Sequence, residues 1–236
     1  GDLRSMRIDD PYGEKVFENN AFGRLREQKL TETFGESAEP LCWPDPDADP
    51  EDLENIVTLR EFSERWEPGF YAFRGKGEEG EKLTGETLLS YDLPAAPKEV
   101  DFDGSVISWE AGDDLGNCAP ISNEGDDYAG QELIEELVND GIIADPADVM
   151  VAAYEVVLEP DVEDGDPVGQ LVFKVRVAGN VDPMQVTVPG DYLSALPEDT
   201  PVKVEVGAIG VDDNATFTEA DGFCVNENEG CEEDDE

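Results

Sequence analysis

Residues 202–209, "VKVEVGAI", alternate apolar and polar side chains through their first half, the period-two pattern of a strand with one buried face. Four other apolar stretches surround it: "AYEVVLE", "QLVFKVRVA", "MQVTVP" and "ATFTEADGFCV". Acidic Gly/Pro turns separate them, so the chain from Ala153 onward reads as β. Short strands at such spacing predict a β-sandwich, with Val202, Val204, Val206 and Ala208 pointing inward.

Upstream the periods are mixed. "PYGEKVFENNAFGRLREQKLTETF" places turn residues at 11–13 and 19–20 between short apolar stretches, as β-hairpins do. "TLREFSERW" opens a capping box at Thr58 and Glu61, and Leu59, Phe62 and Trp66 follow at helical spacing up to Pro68-Gly69. Two strands are expected around a turn at 77–81, and another at 106–109 carrying Trp109. "GQELIEELVNDG" sets Leu133, Ile134, Leu137 and Val138 on one helical face, with Gly141 as its stop. "DPADVMVAA" restarts with an Asp145 cap and Pro146 at the first helical position, which predicts a helical hairpin. "PAAP" at 94–97 is the best domain boundary.

Composition narrows the function classes. The chain has 236 residues, 39% of them hydrophobic, so it can build cores despite a formal net charge of −45. With 60 acidic against 15 basic residues and no Lys/Arg cluster, direct binding of nucleic acid is excluded. Scarce lysine and abundant carboxylate fit a solvated surface adapted to high salt, where the Debye length falls to about 3 Å near 1 M. Divalent-cation binding and attraction to a basic partner are the competing readings. Histidine is absent, which removes Ser-His-Asp and Cys-His catalysis and ordinary zinc sites. No stretch is apolar for long enough to span a membrane. The chain opens "GDLRSM", without initiator Met or signal peptide, and reads as a processed product or fragment.

The four cysteines, Cys42, Cys118, Cys224 and Cys231, lack C-x-x-C spacing, so disulfides in an oxidising compartment are the better account of them. Three pairings are possible; Cys224 with Cys231 closes a small loop and would leave Cys42 with Cys118. Asp45, Asp47 and Asp49 in "DPDADPEDLENI" are the candidate calcium ligands. Pro50 and Ile56 stand where an EF-hand loop needs Gly and Glu, so a solvated acidic loop is the competing reading. Calcium is the one cofactor the sequence suggests. Asn214-Ala-Thr216 is a glycosylation sequon at an expected turn. Trp109 and Tyr154 occupy core positions of the strand pattern. With so many acids, carboxylate pairs carry no information about a hydrolase.

From about residue 94 to 225 the order of signals resembles a fibronectin type III domain. A Pro-rich entry leads to a B strand with Trp109 ("SVISWE") and a C strand opening on Tyr154 ("AYEVVLE"). A C′ strand and an E strand run into "VPGDYLSALPEDTPVKVEV", where Leu196 sits at the family's loop leucine and 202–209 form strand F. The chain departs from the family where Val202 replaces the tyrosine usual near the start of strand F, and where about forty residues separate strands B and C. As a whole it is similar to uncharacterised secreted proteins that couple such a domain to a β-rich N-terminal region, a likeness carried by "SMRIDDPYGEKVF", "KLTETFGESAEP" and "YAFRGKGEEGEKLTGETLLSYDLPAAP".

The expected fold is mainly β in two domains: 1–93, β-rich with one short helix, and 94–226, a fibronectin type III-like sandwich with a helical insertion about 113–152. Residues 227–236 are an acidic tail. The resemblance implies a scaffold and no activity. The expected protein is therefore a non-enzymatic structural or adhesive one, extracellular or at the cell surface, self-associating or binding a protein partner, as in a surface filament. The alternatives are a virion tail or capsid decoration protein of a salt-adapted virus, and a calcium-dependent binding module. Residues 1–10, with Arg4 and Arg7, are expected to meet the acidic surface of a neighbouring subunit.

Overall fold

The structure is a computed structural model that describes residues 3–24, 27, 59–77, 79–115, 134–162, 165–228 and 230–231. It is mainly β, with three antiparallel sheets, and divides into two compact units: Gly1–Tyr91 with Pro120–Leu137, and Asp92–Ala119 with Val138–Glu236.

The first unit is built on strands β1 (Leu3–Asp9), β2 (Lys15–Asn20), β3 (Gly69–Gly77) and β4 (Lys82–Leu89), in the order β2-β1-β3-β4. The β1–β2 hairpin turns where the sequence predicts it. Asp10 Oδ1 accepts the N–H groups of Tyr12 (3.0 Å) and Glu14 (2.7 Å), and Gly13 takes φ +82°. Helix α1 (Leu59–Arg65) ends before Pro68. Its Phe62 lies 6.3 Å from both Trp66 and Tyr91, ring centroid to centroid, and Trp66 stands equally far from Tyr71 on β3. The Tyr91 hydroxyl donates to Trp66 O at 2.6 Å, and burial pushes its pKa up to about 12.

The second unit has two sheets. One contains β7 (Val151–Pro160), β8 (Phe173–Ala178), β10 (Thr200–Gly210) and β11 (Ala215–Val225), in the order β11-β10-β7-β8. The other contains β5 (Lys98–Phe102), β6 (Val106–Glu110) and β9 (Gln185–Thr187), in the order β5-β6-β9. One apolar cluster takes Phe102, Ile107, Trp109 and Val188 from the three-stranded side and Tyr154, Val156, Leu158, Val202, Val204, Val206 and Ala208 from the four-stranded side. The alternation of β10 is thus explained by burial: its four predicted inward residues are all solvent-excluded. Leu196 joins the same cluster. With Val202 inside, a different tyrosine ties the chain down: Tyr192, on helix α3 (Gly190–Leu193), donates to the carbonyls of Leu158 (3.0 Å) and Leu171 (2.7 Å).

Two local expectations are corrected. The predicted helical hairpin has only one arm among the described residues, α2 (Ile134–Asn139). Asp145 does cap the second arm, accepting from Ala147 N at 3.1 Å, but that arm is a single 3₁₀ turn, Pro146–Asp148. Val149 is already extended, and β7 starts at Val151 because its residues are drawn into ladders with β8 and β10. Nor is everything after Ala153 β: a 3₁₀ turn, Pro167–Gln170, and α3 interrupt it.

Candidate interaction surfaces

The sheet of the first unit has one face turned away from its aromatic cluster. Alternation places Phe70, Ala72, Arg74 and Lys76 of β3 on that face. Register adds Arg7 opposite Arg74, Glu18 opposite Arg7, Lys15 opposite Asp9, and Lys82 opposite Lys76. Glu86, opposite Ala72, and Leu88, opposite Phe70, complete it. At its centre Asp9 is only 1% exposed. Arg7 grips its Oδ1, and Arg74 Nη1 stands 3.2 Å from its Oδ2, an ionic contact not aligned as a hydrogen bond. A carboxylate this deeply buried requires such compensation, and two guanidinium groups supply it. Lys15 pairs with Glu18 at 2.7 Å at the β2 edge. Five basic residues against three acidic ones make this face positive in a chain of net charge −45.

The solvent face of the four-stranded sheet is organised differently. Lys174 (2.6 Å) and Arg176 (3.0 Å) converge on Glu155, whose carboxyl is held below its ordinary range chiefly by the bond from Lys174. Lys203 bridges Glu159 (3.5 Å) and Glu219 (3.1 Å), and its ammonium is stabilised first by Glu219. Glu205 lies directly opposite Glu219; burial, then its contact with that second carboxyl, raises its pKa. Here Lys174, Arg176 and Lys203 each have a carboxylate partner within the sheet itself.

Cys224 and Cys231 stand at disulfide distance, with Cα atoms 5.7 Å apart, the pairing expected from the short loop. Cys42, Cys118, Asp45, Asp47 and Asp49 lie outside the described residues. Among the described residues no group of three or more acidic or cysteine side chains is placed to hold a metal ion, and no helix is long and apolar enough to cross a membrane. Asn214 is in the β10–β11 turn, half-buried, and its Nδ2 donates to Asp92 O at 3.1 Å. Trp109 and Tyr154 are core neighbours, ring centroids 5.3 Å apart. Arg4 and Arg7 are on β1, and Arg7 is committed to Asp9. Sequence reasoning missed Arg74, Lys76 and Lys82: the β1–β3 register sets Arg74 opposite Arg7, and the β3–β4 register sets Lys82 opposite Lys76.

Compared with models of known protein families and with curated protein sequences, the chain matches none of them.

Proposed function

We propose that this is a non-enzymatic structural or adhesive protein of an extracellular or cell-surface, salt-exposed setting, which self-associates and whose second unit is a fibronectin type III-like sandwich. The observation that carries the reading is the strand order of the second unit. In the family's letters the four-stranded sheet reads G-F-C-C′ and the three-stranded sheet A-B-E, around a core anchored by Trp109 and Tyr154. This architecture serves mainly to hold surfaces at fixed positions. The cysteine pair Cys224–Cys231 fits an oxidising compartment. The charge fits a salty one, where screening removes repulsion between copies. Sedimentation of the full chain across monovalent salt, with intact-mass analysis of its thiols, tests the reading. Particles larger than a monomer and oxidised cysteines are expected. A reduced protein that stays monomeric at every salt concentration would sink it.

A further inference from the structure

We propose that the face of the N-terminal sheet bearing Arg7, Arg74, Lys76 and Lys82 is a docking surface for the acidic surface of a second copy of this chain. The inference rests on the self-associating reading above and says which surface carries it.

Lys76 and Lys82 stand directly opposite one another on adjacent strands, a like-charge pairing that disfavours the sheet. Two other like-charge pairs among the described residues are compensated. Arg7 and Arg74 face each other but share the buried Asp9. Glu205 and Glu219 face each other but Lys203 binds Glu219. Lys76 and Lys82 have no ion-pair partner among the described residues, although carboxylates outnumber basic groups 60 to 15 in the chain. In so acidic a protein, leaving two lysines together is the costly choice, and it makes sense when the missing counter-charge comes from outside.

The rest of the face suits docking. Arg74 is 65% exposed despite its contact with Asp9, so its guanidinium edge can serve a second carboxylate. Further along β3 the cationic row gives way to Phe70, 59% exposed, paired with the exposed Leu88. An aromatic-aliphatic anchor beside arginine is the composition that interfaces favour. The complementary charge is supplied by the chain itself, whose 60 acidic residues far exceed what its 15 basic ones can pair. Long-range repulsion between two such copies is strong at low ionic strength and vanishes once the Debye length, about 30 Å at 0.01 M, has shrunk to about 3 Å at 1 M. Contacts at the face act at shorter range, so association should strengthen as salt is first added.

The test is sedimentation of the full chain from low to high sodium chloride, beside thermal unfolding, for the wild type, Lys76→Glu and Lys76→Glu/Arg74→Gln. Lys76→Glu converts the like-charge pair into an attractive one, so its Tm should hold or rise while association weakens about tenfold or more. These opposite signs separate docking from a local structural role. If the wild type assembles and Lys76→Glu assembles equally well, this face is not the dock, and the self-association reading survives. If Lys76→Glu lowers Tm along with association, the lysines serve the fold and the proposal is overturned. A wild type that is monomeric throughout overturns both. If that monomer binds polyglutamate and Lys76→Glu does not, the face belongs to a different acidic partner and the second-copy assignment fails.

Discussion

The ring of Phe217 on β11 lies across Gly207 on β10, its directly paired neighbour, so closely that a β-carbon at 207 would stand 2.7 Å from both Cδ1 and Cζ. The glycine interrupts the Val-rich alternation of β10 on the solvent face, and the aromatic ring fills the space it leaves. Phe217 remains 47% exposed, so its ring can swing aside. Gly207→Ala should therefore destabilise by about 0.5–1.5 kcal/mol, the cost of forcing an aromatic side chain off its rotamer. In a Phe217→Ala background the same substitution should be neutral or stabilising, because glycine in a strand carries an entropic cost of its own. Denaturant titration of the four-member double-mutant cycle measures the coupling; a value near zero would mean that the ring does not depend on the glycine.

Trp109 is 4% exposed and packed on Tyr154, and its Nε1–H has no hydrogen-bond partner. Trp109→Ala should cost about 3–5 kcal/mol and unfold the second unit. Trp109→Phe should cost clearly less, because it keeps an aromatic body while removing an unsatisfied donor that carries a penalty of about 1–3 kcal/mol. Equal losses for the two variants, measured by chemical denaturation, would mean that the aromatic body packed on Tyr154 contributes nothing to the core.

Two glutamates on one sheet face should move stability in opposite directions with pH. Glu155, with its folded pKa lowered by Lys174 and Arg176, contributes stability that is present above its unfolded value and is lost as pH falls through the folded one. Glu205 has a raised folded pKa, so between its unfolded and folded values the native state holds the extra proton, and stability drops as pH rises through that window. Glu205→Gln should therefore raise Tm at neutral pH and leave it nearly unchanged at acid pH. Glu155→Gln should lower Tm at neutral pH. Melting curves across the carboxylate range check both signs.

Stability of the whole chain should climb with monovalent salt as carboxylate repulsion is screened. Micromolar calcium at fixed ionic strength should add little. A saturable calcium-dependent rise in Tm would instead establish a cation site, with Asp45, Asp47 and Asp49 the first residues to replace.

Which parts were legible in the sequence follows from whether an element's pattern is local. The alternation of β10 survives in the fold because each inward position is buried in one core. Strand β5 (Lys98–Phe102) has no readable alternation, because a bulge between Lys98 and Asp101, with Glu99 at φ +53°, breaks its period. At 145–151 local cap and proline signals predict a helix, and ladder pairing on both sides of β7 prevails after one turn. The basic face was illegible for a different reason. In "RGKGEEGEK" the lysines read as charges beside a turn, and only the register of β3 and β4 sets Lys76 against Lys82.

The clamp on Asp9 also governs when the N-terminal sheet can be finished during synthesis. The β1–β2 hairpin is complete once Asn20 has left the ribosome, but Arg74 and the rest of β3, which ends at Gly77, follow 77 − 20 = 57 residues later. At roughly 5–20 residues per second, one edge of β1 and an incompletely paired carboxylate wait about 3–11 s for their partner. Over that interval the nascent hairpin is open to any other strand nearby, including β3 of a neighbouring chain further along the same message. A β3 strand from a second chain carries the same register for β1 and the same Arg74 for Asp9, so the timing of translation can itself decide whether two chains emerge separate or interlocked.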